Sequence, residues 1–304
     1  MRRYFSWPVC RAVAMATALS AAAIAIVATA MSGPFPWEGA EATSAVADSP
    51  AAQGVASGTP VFPLLGRQAN GHLYDYEPKG TAGGVQAAVD LGGGFSEVTA
   101  IMQANVSQNG TGNDLYYRMG GSLYYTAERG NDTKLIGGGW DIYNMLAAVN
   151  RGSTAQPEII GRDAAGALWV YPVKADGVLG EKAKIGSGGW DKIDRITGRG
   201  DYTGDGKPDM IARDTGGTLY LYPGTGSATA DASINTRITV GTGWGSYNLL
   251  VSTGDNDGDG KADLIATDKA GALWLFKGTG NPNSPFAARV QIGTRGWDAF
   301  NTLF

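Results

Sequence analysis

Aspartates at a fixed spacing form the clearest chemical pattern in the sequence. From residue 255 to residue 263 the chain reads Asp-Asn-Asp-Gly-Asp-Gly-Lys-Ala-Asp, which places carboxylates at the first, third, fifth and ninth positions. Ca²⁺ takes about six to eight oxygen ligands, and a glycine at the sixth position permits the tight bend that turns alternate side chains toward one point. The predicted ligands are the side chains of Asp255, Asp257, Asp259 and Asp263 and the carbonyl oxygen of Lys261.

A second loop repeats this spacing with one carboxylate fewer. Its predicted ligands are Asp201, Thr203, Asp205, Asp209 and the carbonyl oxygen of Lys207, and we expect it to bind Ca²⁺ more weakly because a hydroxyl replaces the third carboxylate. The corresponding segments 107–114 and 150–158 each keep a single acidic residue, so the sequence predicts two calcium sites. The alternative is an acidic glycine-rich turn that holds no ion. The argument against this alternative is that four carboxylates in so short a loop repel one another unless a cation neutralises them.

Two further markers recur along the chain and indicate internal repeats. A Gly-x-Leu-aromatic segment has its leucine at residues 73, 123, 168, 219 and 273, with spacings of 50, 45, 51 and 54. A Gly-aromatic turn has its aromatic residue at 95, 140, 190, 244 and 297, with spacings of 45, 50, 54 and 53. Two independent markers therefore agree on five copies.

Each copy contains four short strand-like runs separated by Gly, Asp, Asn and Pro, as at 247–252, 262–267, 272–276 and 289–292. A four-stranded unit with a period near 50 predicts an all-β fold, a five-bladed β-propeller of antiparallel blades. The first copy lacks its leading strand, whereas residues 296–304 supply one such strand and nothing more. We therefore expect the N- and C-terminal strands to pair and close the ring, in preference to an open solenoid, which would need polar end caps.

These motifs resemble two known families across residues 61–304. The strings GDGKPDMIARD and GDGKADLIATD resemble FG-GAP/VCBS-type repeats, and IGGGWDIYNML, IGSGGWDKIDRI and IGTRGWDAFNTLF resemble tachylectin-like five-bladed propeller lectins. The second resemblance implies amino-sugar binding between blades through the pairs Trp140 with Asp141, Trp190 with Asp191, and Trp297 with Asp298. The alternative is that each Trp only packs one blade against the next.

Composition narrows the function further. A net charge of −4 argues against a nucleic-acid partner. The single histidine, His72, and the absence of a Gly-x-Ser-x-Gly motif leave no nucleophile or zinc site in view, so no catalytic residue is predicted. A carboxylate pair that cleaves glycans is a minor alternative, because such a pair can meet from distant blades.

The N-terminal region indicates export. Three arginines, at residues 2, 3 and 11, precede an uncharged alanine-rich run from 12 to 31, which predicts a signal peptide over 1–32, or to residue 47, with a signal anchor as the alternative. Residues 33–60 are predicted to form a linker. We thus expect a secreted, monomeric, calcium-stabilised binding module whose partner is a carbohydrate, with a protein-interaction propeller as the alternative.

Overall fold

The computed structural model describes residues 59–107, 114–128, 130, 132–151, 157–226 and 236–304. The predicted signal peptide and nearly all of the predicted linker lie outside these residues. Within the described residues, twenty strands form five antiparallel four-stranded sheets, which are the five blades of a β-propeller. Among the described residues, no helix is long and apolar enough to cross a bilayer.

The blades are numbered here in chain order, each with its strands from first to last in the sheet. Blade 1 contains β20 (Phe300–Leu303), β1 (Leu64–Gln68), β2 (Leu73–Tyr76) and β3 (Val89–Gly92). Blade 2 contains β4 (Val98–Ala104), β5 (Asp114–Met119), β6 (Ser122–Ala127) and β7 (Asp132–Gly137). Blade 3 contains β8 (Tyr143–Val149), β9 (Glu158–Asp163), β10 (Leu168–Pro172) and β11 (Ala183–Gly186). Blade 4 contains β12 (Ile193–Thr197), β13 (Met210–Asp214), β14 (Leu219–Tyr222) and β15 (Ile238–Gly241). Blade 5 contains β16 (Tyr247–Gly254), β17 (Asp263–Asp268), β18 (Leu273–Phe276) and β19 (Val290–Gly293).

The first strand of each blade lies toward the axis of the ring. Strand β4 contacts β8, β8 contacts β12, β12 contacts β16, and β16 contacts β20. From this inner position the chain crosses each blade outward and then enters the next blade through the Gly-aromatic turn. Each turn therefore lies at a junction between two blades.

The two ends of the propeller chain close the ring, as the sequence predicted. Strand β20 pairs antiparallel with β1, with Gly66 opposite Leu303. Leu65 and Phe304 exchange backbone hydrogen bonds of 3.0 and 2.9 Å. Blade 1 is thus assembled from both ends of the chain, and β20 covers the edge that β1 would otherwise leave open.

The hydrophobic core lies between the blades. Each of five clusters of buried side chains combines residues from two neighbouring blades. Strands in such an arrangement are covered on both faces, which is why the segment from Leu273 to Phe276, Leu-Trp-Leu-Phe, shows no clean alternation of apolar and polar residues. The cluster between blades 5 and 1 includes Trp297, Phe300 and Leu303, so the closing strand is also a packing element.

Candidate functional site

Three aspartates of the Asp255 loop converge in the structure. The loop joins β16 to β17, and oxygen atoms of Asp255, Asp257 and Asp263 all lie within 4.8 Å of one another. All three residues are buried. These are hard oxygen donors of the kind that calcium prefers, so the residues present fit the predicted ion.

Backbone amides hold these carboxylates in place. Asp255 accepts hydrogen bonds from the amides of Gly258 (2.7 Å) and Gly260 (2.8 Å). Both glycines have positive φ, 78° and 88°, a conformation that other residues seldom adopt. Asp263 accepts from Asn256 at 2.9 Å and from Gly278, beyond the next strand, at 2.8 Å. The loop therefore folds around its first and ninth residues.

The remaining predicted ligand side chain lies apart from this cluster. Asp259 faces the ammonium of Lys261 at 3.4 Å, and both side chains are substantially exposed. A different cation enters the site: Lys277 Nζ lies 2.7 Å from Asp257 Oδ2. No sequence pattern indicated Lys277, which follows β18, two strands beyond the loop.

The Asp201 loop, between β12 and β13, has the same construction. Oxygen atoms of Asp201, Asp205 and Asp209 lie within 4.8 Å of one another. The Thr203 hydroxyl donates to Asp201 at 3.2 Å, and Asp209 accepts from the Gly224 amide at 2.8 Å. The structure thus brings together the three carboxylates that the sequence assigned to this loop.

Burial strongly perturbs the acid at the ninth position of each loop. Desolvation raises the pKa of Asp263 to about 7 and that of Asp209 to about 6, although backbone amides that donate to both carboxylates oppose the rise. The neighbouring carboxylates of Asp255 and Asp257 raise the pKa of Asp263 further. A divalent cation in contact with these oxygens would stabilise the ionised forms that burial disfavours.

The ninth-position acid also has a structural role where the rest of the pattern is missing. In blade 2, Asp114 accepts from the amides of Val106 (2.6 Å), Ser107 (2.6 Å) and Glu128 (3.0 Å). In blade 3, Glu158 forms a two-point ion pair with Arg151, whose Nε and Nη2 lie 3.0 and 3.2 Å from the carboxylate oxygens. Most of the loop in each of these two blades lies outside the described residues.

Both aspartate loops contact the following blade. Asn256, in the Asp255 loop, accepts from the Gly84 amide of blade 1 at 2.6 Å, and the Asp255 amide donates to Pro60 O at 2.8 Å. In blade 4, Gly204 packs so closely on Gly280 of blade 5 that no Cβ could be accommodated there. The Asp255 loop therefore lies at the seam where the ring closes, and the Asp201 loop lies at the junction before it.

The Gly-Trp turns place the indoles inside the protein. The three tryptophans of the predicted sugar-binding pairs are only 7–8% exposed, and Trp244 is 9% exposed. The three are Trp140, Trp190 and Trp297. Each begins a single 3₁₀ turn, after a glycine with positive φ, and the amide of Trp140, for instance, donates to Gly121 O of the preceding blade at 2.9 Å. These indoles pack against aromatic rings of their own blade, with centroid distances of 4.6–5.0 Å. Their flat faces are therefore covered.

The acidic residues that follow three of these indoles are exposed to solvent, in contrast to the buried indoles. Asp141, Asp191 and Asp298 are exposed. Each lies beside a glycine of the preceding blade; a Cβ on Gly121 would lie 3.7 Å from Asp141 Cγ. At these three junctions an exposed carboxylate therefore lies beside backbone that carries no side chain. Ser96 and Gly245 occupy the same position at the other two junctions, so those lack the carboxylate.

A set of arginines that was not predicted from the sequence connects the second strand of four blades to the next Gly-aromatic turn; Arg213 is buried and the other three are partly buried. Arg213 Nη1 donates to Trp244 O (3.0 Å) and to Tyr247 O (2.5 Å), and its Nη2 pairs with Asp194 at 2.8 Å. Blade 5 has Thr267 instead, and its hydroxyl is buried without a hydrogen-bond partner among the described residues. The equivalent arginines in the other blades are Arg67, Arg118 and Arg162. Their sequence signal is an arginine five or six residues before the repeated leucine.

Comparison with known proteins finds a family match for part of the chain. Residues 201–266, which carry both aspartate loops, match the family model of the FG-GAP-like repeat. No curated protein matches the chain. Similar solved structures include a protein of unknown function from Bacteroides caccae, with 7% identity, a TM-score of 0.38, and coverage of 76% of this chain and 73% of that one. Another is the BP39L lectin from Burkholderia pseudomallei, with 15% identity, a TM-score of 0.41, and coverage of 79% and 71%. Similarities at this level carry no inference about function.

Proposed function

We propose that this protein is a calcium-stabilised propeller that acts as an exported binding module. The observation that carries the calcium assignment is the convergence of three carboxylates in each of two loops, to within 4.8 Å. Asp255, Asp257 and Asp263 would hold one ion. Asp201, Asp205 and Asp209 would hold the other, each with further oxygen atoms from its loop.

Calcium would supply positive charge where burial leaves the carboxylates poorly solvated. The loop residues position the oxygens through their backbone hydrogen bonds, and the loops contact the next blade at Gly84 and at Gly280. Neutralising the repulsion within each loop should therefore stabilise two blade junctions, one of which closes the ring. Millimolar calcium, as found outside cells, would be enough even for weak sites of this type.

Thermal unfolding with and without excess EDTA tests the calcium assignment. We expect calcium to raise the Tm of the wild-type protein, because an ion that binds only the folded state stabilises it by mass action. Asp257→Asn and Asp205→Asn should each remove part of this shift and one site in isothermal titration calorimetry. Glu97→Gln, an exposed acid outside both loops, is the matched control. An unchanged Tm in EDTA, together with no heat of calcium binding, would refute the assignment.

For the ligand we propose a carbohydrate that carries an amino-sugar residue. Support comes from the exposed carboxylates of Asp141, Asp191 and Asp298, each beside a glycine of the preceding blade, which can accept hydrogen bonds from hydroxyl or amide groups of a sugar. Because the indoles beneath are covered, they would position the carboxylate and would not stack on the sugar. Binding, and not catalysis, is the proposed activity.

A glycan array probed with and without calcium tests this second part. We expect binding to N-acetylated amino sugars that weakens with each of the changes Asp141→Asn, Asp191→Asn and Asp298→Asn. Gly245→Asp should add a comparable carboxylate at a junction that lacks one, and its backbone φ does not require glycine. Absence of binding to every glycan, with capture of a protein partner unaffected by competing sugar, would favour the protein-interaction alternative.

A further inference from the structure

We propose that Lys277 is a built-in counter-ion that competes with calcium for the Asp255 loop. This inference rests on the proposed calcium function and concerns which of the two loops fills first. The loop with more carboxylates, at Asp255, is then the weaker site, because its cation position is already contested by a side chain of the protein.

The geometry places the ammonium against a ligand oxygen. Lys277 Nζ lies 2.7 Å from Asp257 Oδ2, and the Asp257 side chain is only 5% exposed, whereas that of Lys277 is 33% exposed. The backbone of Lys277 is fixed, since its carbonyl accepts the Ala287 amide at 2.9 Å. Its ammonium is therefore held at the rim of the cluster, on a flexible stem that can release it to solvent.

The same position in the other blades shows that this lysine is specific to blade 5. The residue after Lys277 donates its amide to Asp263, just as Gly224 donates to Asp209 in blade 4 and Glu128 donates to Asp114 in blade 2. This shared hydrogen bond fixes the alignment. The residues that correspond to Lys277 in blades 1 to 4 are Glu77, Ala127, Pro172 and Pro223. Among the ion pairs of the described residues, no lysine or arginine pairs with a carboxylate of the Asp201 loop.

Blade 3 provides a precedent within the same molecule. There the loop lacks the carboxylate cluster, and the guanidinium of Arg151 lies against the ninth-position acid Glu158, with both side chains 6% exposed. A side-chain cation can thus satisfy the charge of this slot in the propeller. Blade 5 combines such a cation with a cluster of three carboxylates, which is the arrangement expected of competition.

Competition has a definite consequence for calcium. An ion that contacts Asp257 must first displace the ammonium, and this cost lowers its affinity for the Asp255 loop. The Asp201 loop carries no such cost. Calcium should therefore fill the Asp201 loop first and the Asp255 loop, at the closure seam, second.

Calorimetric titration of calcium into wild type, Lys277→Met and Lys134→Met tests the proposal. Lys277→Met should tighten the weaker site about tenfold, which corresponds to about 1.4 kcal/mol, and leave the other site within about twofold. Lys134→Met is the matched control, because its partly exposed ammonium pairs with Asp132 of blade 2, outside both loops. Lys277→Gln, which removes the charge and keeps a polar side chain, should tighten the same site and covers the case in which the methionine variant folds poorly. Lys277→Arg, which keeps the charge, should retain wild-type affinities.

The outcomes separate this proposal from the calcium assignment itself. If wild type binds two ions and Lys277→Met binds both with unchanged affinity, the competition is refuted while the calcium sites stand. If neither protein binds calcium, both proposals fail. Adding Asp257→Asn to the Lys277→Met variant shows which loop holds the tightened site. We expect this second change to remove the tightened site. Loss of the Asp201 site in its place would also refute the proposal.

Discussion

Calcium affinity should fall steeply as the pH is lowered, and by different amounts at the two loops. The perturbation is a change from about pH 8 to about pH 5 at constant ionic strength. Each ion needs the ninth-position carboxylate in its ionised form, but burial raises the pKa of Asp263 to about 7 and that of Asp209 to about 6 in the calcium-free protein. Calcium binding must therefore expel a proton below these values.

The magnitude follows from the ionised fraction of each carboxylate. At about pH 5 a group with a pKa near 7 is ionised in about one molecule in 100, and a group with a pKa near 6 in about one in ten. The Asp255 site should thus weaken about 100-fold and the Asp201 site about tenfold between these pH values. Titration calorimetry at several pH values, in two buffers of different ionisation enthalpy, measures both the affinity and the protons released.

The stability of the calcium-free protein should change in the opposite sense. The folded-state pKa of Asp263 lies above its unfolded value, so the stabilisation from this group is complete below the unfolded pKa of about 3.8 and is lost as the pH rises through about 7. In EDTA, this group therefore favours folding at acidic pH. The increase in Tm that calcium produces should be larger at about pH 8 than at about pH 5. Equal affinities at both pH values, with no proton release, would refute the reasoning.

Three substitutions test the structural contacts, each by urea unfolding in saturating calcium. Glu158→Gln should lower the free energy of unfolding by about 3 kcal/mol, because it removes the carboxylate beside the buried guanidinium of Arg151. Arg213→Thr should cost about 2 kcal/mol, because buried carbonyl groups at the next blade junction lose a charged donor. Trp244→Ala should cost about 4 kcal/mol through the cavity that it leaves between blades.

Exposed positions serve as controls for these three substitutions. Lys192→Met removes an ion pair with Asp191 in which both side chains are more than half exposed, and it should change the free energy of unfolding by less than about 0.5 kcal/mol. Asp141→Asn should be as mild, although it removes a proposed ligand contact. A small loss of unfolding free energy in Trp244→Ala would contradict the packing role of the indoles. A large loss in Lys192→Met or Asp141→Asn would contradict the assignment of recognition to the exposed acids.

Repeat spacing in the sequence was sufficient to predict the architecture. Glycine-aromatic turns and Gly-x-Leu strands are local signals, and their recurrence sets the number of blades. The missing first strand and the extra last one predicted the pairing of β20 with β1, which the structure confirms. The aspartate spacing predicted that the carboxylates of one loop converge, because the positions of side chains within nine residues are governed by the local backbone. The structure brings together three of the four in the Asp255 loop and leaves Asp259 outside the cluster.

The tertiary structure decided the properties that depend on neighbouring blades. Sequence spacing could not show that Trp140, Trp190 and Trp297 are buried while the acids after them are exposed, since burial depends on what the adjacent blade covers. Nor could it place Lys277 against Asp257, because the two residues meet only after β17 and β18 fold back across the blade.

The position of the Asp255 loop at the seam where the ring closes also depends on contacts between blades. Asn256 and Gly84 are 172 residues apart in the chain and become neighbours only when the ring closes. Local spacing determined the blades and the two acidic loops. Closure of the ring determined which loop lies at the seam, and the return of the chain across blade 5 brought Lys277 to that loop, because both depend on contacts between distant residues.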